Sequence, residues 1–462
     1  MSDMKAITLA QAAKAAGGTL IGGGENLVIR QVVMDSRLDV EGALFVAIAG
    51  SRADGHDYAA EVLRRGALAC LVEREIDAPG PYILVDSTLR AIRDLAGYYR
   101  RLFSIPVIGI TGSVGKTGTK EMIASVLSTR FRVHKTAGNL NNEIGVPMTL
   151  FALRESHQVA VMEMGISDFG EMSRLTEMVR PDIAMITIIG YAHLENLIDR
   201  AGVLKAKTEI FKGLPPHGLA LVNGDDDLLA PFEITTAAPD KTEVEKRLYG
   251  LGAENDYRAV DIVNQGEAGT ACTLLLGDEA FPILVPAFGQ HMIYTALAAA
   301  VVGHRLGLTP EEITRGISAF QNADQRAEVS KTDHLTIIDD SYNANPDSVK
   351  AALTSLGNLS GKRVAILGDM GELGENAAAL HYQVGSHAAQ CGIDRLICVG
   401  EMSKSLHQGA LDTKPTLQAW YFPEKEEAIQ ALPAILQQGD QVLVKASRFM
   451  RFEEIVAALK GM

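Results

Sequence analysis

Cysteine is scarce in this chain of 462 residues: Cys70, Cys272, Cys391 and Cys398 are the full set. No two of them form a C-x-x-C pair, so zinc-finger spacing is absent and a secreted disulfide framework is not expected. Reduced, buried thiols in a cytoplasmic protein are the simpler reading. Positive charge is also in deficit. Lys and Arg number 43 against 57 Asp and Glu, a net charge of −14, which argues against a nucleic-acid or anionic-membrane partner. A phosphorylated small molecule held in a local basic pocket is still compatible with that balance. Long apolar runs are missing too. The longest, from Met292 to Gly303, has 12 residues including Thr295, whereas spanning a bilayer takes about 20. The stretch from Thr8 to Gly17 reads as a short capped helix and not as a signal peptide. The expected location is therefore the cytoplasm, without an integral membrane segment.

What is present describes a soluble globular chain, 47% hydrophobic and 22% charged. Its length suggests about three domains, large enough to bury cores without disulfides or structural metal. Three stretches differ in texture. Residues 1–88 mix short apolar runs (Leu44–Ile48, Ala69–Val72, Tyr82–Val85) with polar turns. Residues 89–326 begin with a helical segment, Leu89–Leu102. Strand-like segments at Pro106–Thr111, Val159–Met164, Asp182–Ile189 and Leu219–Asn223 then alternate with helical ones at Lys116–Ser128, Ser167–Met178 and Arg200–Gly213. Apolar strands spaced by helices imply a mostly parallel sheet covered on both faces. A more polar, β-rich insertion is expected from about Asp240 to Val285, then a buried helix around Ala296–Val302. Residues 327–462 restart the alternation. Strands are expected at Leu335–Asp339, Arg363–Leu367, Arg395–Val399 and Gln441–Val444, and helices at Ser348–Leu356, His381–Cys391 and Glu424–Leu432, where Pro433 makes the last boundary uncertain. That is the pattern of a second open α/β domain.

The strand Pro106–Thr111 runs into Thr111-Gly-Ser-Val-Gly-Lys-Thr117, and a helix follows at once. Gly112 and Gly115 let the backbone approach a polyphosphate, and the N–H groups of Ser113, Val114 and the helix start favour negative charge. Lys116 can reach β- and γ-phosphates, and the Thr117 hydroxyl can ligate Mg²⁺. The strict G-x-x-x-x-G-K spacing is missed, because position 110 is Ile110. An ordinary glycine-rich βα turn is the alternative, which the strand before and helix after disfavour. No Asn-Lys-x-Asp element follows, as a G protein would require, and a simple kinase would not explain a second α/β domain.

Glu163 ends the apolar strand Val159-Ala-Val-Met-Glu163, where open α/β sheets place ligand chemistry. A carboxylate there can hold Mg²⁺, although solvated strand ends look the same. His193 follows the next strand in Gly190-Tyr-Ala-His-Leu-Glu195, which brings it toward the same crevice. A lone histidine is more often packed or solvent-facing. Lys205 and Lys207 lie on the helix after it; a solvated helix face accounts for Lys205.

Taken together, seven segments resemble the Mur ligases, the ATP-dependent amide-bond formers of bacterial cell-wall synthesis. They are Thr111–Thr117, Asn139-Leu-Asn-Asn-Glu-Ile-Gly-Val-Pro147, Met162-Glu-Met-Gly165, Ala192-His-Leu-Glu195, Ala206-Lys-Thr-Glu-Ile210, Gly289-Gln-His291 and Lys445-Ala-Ser-Arg448. Two others, Asp339-Asp-Ser-Tyr-Asn-Ala-Asn-Pro346 and Leu367-Gly-Asp-Met-Gly-Glu-Leu-Gly-Glu375, look like the branch that adds D-alanyl-D-alanine to UDP-N-acetylmuramoyl tripeptide. Asp35-Ser-Arg37 and Asp54-Gly-His56 are similar to the family's nucleotide-sugar-binding module. The Asn-Pro-Arg signature of the diamino-acid-adding branch is absent. Family members often carry Asn where this chain has Met292 and Thr295, so an amide contact to adenine is not carried over.

The resemblance implies an α/β protein of three domains: an N-terminal nucleotide-sugar module (1–88), a central P-loop ATPase with a mostly parallel sheet (89–326) and a C-terminal Rossmann-like domain (327–462). It implies ATP with two Mg²⁺ ions, one held by Thr117 and Glu163, the other by His193 and a carbamylated Lys207. Lys116, Glu163, His193 and Lys207 would carry the chemistry, and Ser113, Val114, His291, Arg326, Asp340, Tyr342 and Asn343 would complete the nucleotide site. Ser36, Arg37, Asp54, His56, Asn139 and Asn142 would bind the sugar-nucleotide peptide. The partners implied are UDP-N-acetylmuramoyl tripeptide and D-alanyl-D-alanine, and a monomer is expected. A sibling ligase, a folate polyglutamate synthase and a catalytically silent sugar-nucleotide binder are the competing readings.

Overall fold

The computed structural model describes residues 4–50, 53–234, 244–322 and 325–462. In the first domain, Thr8 closes a capping box with Gln11, its Oγ1 accepting from Gln11 N at 3.2 Å while Gln11 Oε1 accepts from Thr8 N at 2.9 Å. This starts the helix Leu9–Ala15 where the sequence places one. Five strands form one sheet in the spatial order Thr19–Ile21, Tyr82–Leu84, Ala69–Val72, Ala43–Val46, Gln31–Val33, and only the first pair is antiparallel. The helix Thr88–Arg100, capped by Ser87, leads into the central domain.

The central sheet has nine strands. Val107–Thr111 lies between Val159–Glu163 and Ile183–Ile186, all three parallel and buried on both faces. That double burial is why these strands read as unbroken apolar runs. The chain crosses to one side of Val107–Thr111 and later returns to the other, so crossover direction reverses at its carboxyl end. Open sheets bind ligands at such a reversal.

The β-rich stretch expected as an insertion belongs instead to this same sheet. Glu245–Gly250 pairs in parallel with Leu219–Asn223 and with Tyr257–Asn264, and Thr270–Leu276 and Glu279–Val285 extend the sheet by antiparallel pairing. Its polarity has a simple cause. Thr270–Leu276 alternates buried and half-exposed residues, because one face packs in the core with the apolar helix Met292–Arg305 and the other meets solvent.

The third domain carries six strands in the order Glu328–Lys331, Leu335–Asp339, Asp440–Lys445, Arg363–Gly368, Arg395–Val399, Gln418–Phe422, parallel except for the first. The helix Lys425–Ile435 runs through Pro433. The helices Ser403–Thr413 and Glu453–Lys460 and the half-buried edge strand Gln418–Phe422 add to the expected set. A buried fork ties two strands of this sheet: Arg395 donates to Asp440 at 2.8 and 3.0 Å, with 4% and 0% of each residue exposed. Removing one member of such a pair leaves the other buried and uncompensated, at a cost of about 3–5 kcal/mol. Asp440→Ala is therefore expected to lower the thermal midpoint of this domain by several degrees, read by calorimetry; an unchanged midpoint would show the pair to be dispensable. Among the described residues no helix is long and apolar enough to cross a membrane.

Candidate active site

The turn between Val107–Thr111 and the helix Lys116–Leu127 sits at the reversal point, over the sheet's carboxyl edge. Gly112 has φ 148°, and a Cβ there would lie 1.9 Å from Thr187 Oγ1, so only glycine lets the turn pass the neighbouring strand. Thr187 donates to the Val114 carbonyl at 2.5 Å, and Ser113 Oγ accepts from Gly190 N at 2.9 Å. The loop is thus braced before any ligand arrives. Lys116 Nζ donates to the Gly112 carbonyl at 2.6 Å, curled over the turn it would share with a phosphate. Desolvation lowers the pKa of Lys116, and Glu163 counters that shift.

Beside the turn lies a cavity of about 590 Å³. Its walls include Ser113, Val114, Gly115, Lys116, Thr117, Asn139, Asn142, Glu163 and His193 from the central domain, and His291, Arg326, Asp340, Tyr342 and Asn343 from the helix start and the third domain. These residues are far apart in sequence, and the fold brings them to one space. Met292 and Thr295, the two departures from the family's usual residues, also line it.

Glu163 is 1% exposed. Its Oε1 accepts from Asn141 Nδ2 at 2.8 Å and from Thr117 Oγ1 at 3.2 Å. Its Oε2 is buried without a hydrogen bond, with Lys120 Nζ 3.6 Å away. A buried carboxylate oxygen with an empty lone pair next to a threonine hydroxyl is a fitting donor pair for a hard cation. Lys207 is 0% exposed and is not among the residues that line the cavity, and its Nζ has no hydrogen-bond partner. Burial, with Lys116 adding repulsion, pushes its amine well below the usual lysine range. His193 sits in the left-handed region at φ 55° and directs Nδ1 at the Glu372 carboxylate 2.7 Å away. Among the described residues no three His, Cys, Asp or Glu side chains converge as a metal site. The expected donor set does not need them, since it draws on a hydroxyl, a single carboxylate, an imidazole and a modified amine.

At the other end of the cavity, Asp340 accepts from Lys445 Nζ at 2.5 Å, and Lys445 also donates to the Asn343 carbonyl at 3.0 Å. The Arg326 guanidinium lies 4.1 Å from the Tyr342 ring centroid, a cation–π contact that holds an aromatic face at the domain junction.

The four expected residues of the first domain do not line this cavity. Arg37 is exposed and forks onto Asp35 at 2.9 and 2.7 Å, and the Ser36 carbonyl accepts from Arg65. His56 is enclosed by its surroundings. It is 6% exposed, its Nδ1 bonds Asp54 at 2.6 Å, and its Nε2 accepts from Glu73 N at 2.9 Å. With both nitrogens spent inside the domain, it braces a turn and has no free nitrogen for a ligand. Asp54 is shared between this contact and Arg74 at 2.9 Å.

Sequence reasoning passed over Lys120, Asn141, Asp347, Glu372 and Lys445. Lys120 had a legible signal, lying one helical turn beyond Lys116. Asn141, Glu372 and Lys445 lie inside segments that carry the family resemblance. Asp347 acts across a domain interface, which no local pattern reveals.

Comparison with known proteins identifies the family. Residues 28–100 match the model for the Mur ligase family catalytic domain, 110–303 the Mur ligase middle domain, and 325–448 the Mur ligase glutamate ligase domain. The UDP-N-acetylmuramoyl-tripeptide--D-alanyl-D-alanine ligase of Bacillus subtilis is 38% identical over 94% of each chain. A crystal structure of MurF from Acinetobacter baumannii superposes with TM-score 0.92 at 32% identity over 100% of both chains. A MurF ligase from Thermotoga maritima in complex with ADP aligns with TM-score 0.83 at 27% identity, covering 93% of this chain and 97% of that one. With three family models in order and relatives this similar along their whole length, the chain belongs to the Mur ligase family.

Proposed function

We propose that this chain is an ATP-dependent amide ligase of cytoplasmic cell-wall precursor assembly. It joins D-alanyl-D-alanine to the terminal carboxyl of UDP-N-acetylmuramoyl tripeptide and releases ADP and phosphate. One observation carries the reading: a single cavity gathers a braced phosphate loop, a Glu163 oxygen that makes no hydrogen bond and a third-domain wall. The names of its relatives and the ADP held by its Thermotoga neighbour point the same way.

The tripeptide carboxylate attacks the γ-phosphorus, ADP leaves, and an acyl phosphate forms. The dipeptide amine then attacks the acyl carbon, loses a proton, and expels phosphate. The first step brings two anions together, so it needs fixed positive charge in a space closed to water. Lys116 and the loop N–H groups supply part of it at the β- and γ-phosphates. Magnesium, bound through Thr117 with Glu163 and through His193 with carbamylated Lys207, would supply the remaining charge neutralisation. The carbamate forms when the neutral amine adds to CO₂ and loses a proton, exchanging an unpaired nitrogen for anionic oxygens. Asn141 keeps the Glu163 carboxylate oriented, while His291, Arg326, Asp340, Tyr342 and Asn343 would hold base and ribose. Ser36, Arg37 and Asp54 offer the first domain's surface to the sugar nucleotide, with Asn139 and Asn142 nearer the peptide. The three units 1–88, 89–326 and 327–462 would close together and shield the acyl phosphate from hydrolysis.

Phosphate release from ATP tests the reading. Release is expected to depend on the tripeptide substrate and to rise severalfold or more with D-alanyl-D-alanine. Release driven by a free diamino acid instead would assign the chain to a sibling ligase, and no release with any combination would make it a silent binder.

A further inference from the structure

The segment Leu367–Glu375 stands out in the sequence, yet the mechanism above makes no use of it. In the fold it reaches out of the third domain and meets the loop that carries His193. Glu372 Oε2 lies 2.7 Å from His193 Nδ1, and the Glu372 carbonyl accepts from Leu194 N at 2.9 Å. Gly374 stacks against Glu195, where an added Cβ would sit 3.6 Å from its Cα. The other end of the same loop is held as well. Asp347, from the first turn of the third-domain helix Pro346–Gly357, accepts from Tyr191 N at 2.8 Å. It comes so close that a Cβ on Gly190 would lie 2.0 Å from its Oδ2. The backbone is strained between the two grips, at His193 (φ 55°), and beside them, at Glu372 (φ 62°) and Ile198 (φ 73°); for a β-branched residue such as Ile198 that is a genuine outlier. Such strain persists only where surrounding contacts over-determine it, typically around functional groups.

We propose that Glu372 is a positioning residue, contributed by the third domain, that fixes the His193 imidazole with its proton on Nδ1 and its lone pair on Nε2. A carboxylate can only accept, so the nitrogen facing it carries the hydrogen. Nε2 is then the sole ring atom able to ligate a cation. Carboxylates commonly orient metal-binding histidines in this way, fixing tautomer and ring angle and raising ligand basicity. Here the carboxylate comes from a different domain than the histidine. The ligand is therefore set only while the third domain is docked on the central one, which couples domain closure to assembly of the catalytic site. This inference rests on His193 being a cation ligand in the proposed reaction.

Nitrogen-15 NMR of histidine-labelled full-length chain reads the tautomer without turnover, with the His193 signals assigned by their loss in His193→Gln. In the wild type, Nδ1 is expected at the protonated position and Nε2 at the unprotonated one. In Glu372→Ala the proton should move to Nε2 or average between the two sites. In the same variant the Mg²⁺ concentration for half-maximal phosphate release should rise about 10- to 100-fold. Glu372→Gln keeps an acceptor oxygen and should retain both the tautomer and most of the Mg²⁺ response. An unchanged tautomer and Mg²⁺ response in Glu372→Ala would overturn the proposal, as would a Glu372→Gln variant as impaired as Glu372→Ala. Failure of the wild type to release phosphate would instead count against the ligase reading, because the tautomer is measured without substrates.

Discussion

Lys207→Ala is expected to abolish most phosphate release, by about 10²–10³-fold or more, the loss seen when one preorganised electrostatic group is removed from an active site. Activity should return in part with added short carboxylic acids such as formate or acetate. The reasoning starts from burial. Lys207 is fully enclosed with no hydrogen-bond partner, a condition that costs an ammonium heavily and shifts the amine toward its neutral form. A neutral amine is the species that takes up CO₂. A carbamate formed there would put anionic oxygens where the structure has an unpartnered amine, and a small carboxylate entering the space left by alanine would stand in for it. Stability should move the other way from activity. Lys207→Met fills the same volume without an unsatisfied polar atom, so its thermal midpoint should stay at or above that of the unmodified wild type. Full activity of Lys207→Ala would remove the carbamate from the mechanism, whatever became of the ligase reading.

Lys120→Met should be damaging in both respects. Lys120 has no exposed surface, and its Nζ donates to the Thr136 carbonyl at 2.9 Å and the Gly138 carbonyl at 3.3 Å. It also lies 3.0 Å from Glu121 and 3.6 Å from Glu163. One ammonium thus ties the phosphate-loop helix to the loop before Asn139 and offsets the buried Glu163 carboxylate. Methionine fills the space but leaves that carboxylate without its counter-charge and two carbonyls without donors. Breaking a buried pair from one side costs about 3–5 kcal/mol. The central-domain unfolding transition should shift down by several degrees in calorimetry. Nucleotide affinity should fall as well, because the loop bearing Asn139, Asn141 and Asn142 loses its tether. A Lys120→Met chain with wild-type melting and ADP binding would show that the contacts carry no net energy.

The legibility of this protein in its sequence varied by kind of feature. The phosphate loop could be read because it is continuous, its glycines, lysine and threonine lying within seven residues between a strand and a helix. The buried central strands were legible for a related reason, since double-sided burial demands apolar residues at every position. Family motifs extended this to residues such as Arg326 and Asp340 that no spacing connects. The polar strands from Glu245 to Val285 were mistaken for a separate insertion. Pairing to the Leu219–Asn223 edge is a long-range choice, and one solvated face gives them the texture of an independent module. The surroundings of His56 were not legible, because a His-Asp pair looks alike in sequence whether its ring is exposed or, as here, buried and bonded to Asp54 and Glu73.

By itself, then, the order of residues determined the α/β alternation and the place of the glycine-rich phosphate turn. Those are local properties, written in periodicity, capping and backbone freedom over a few residues. Only the tertiary structure decided that the Lys207 amine has no partner, that Lys120 balances Glu163, and that Glu372 crosses from another domain to hold His193. Each of these depends on desolvation and on contacts between segments tens to hundreds of residues apart, and such energies exist only once the chain has closed on itself.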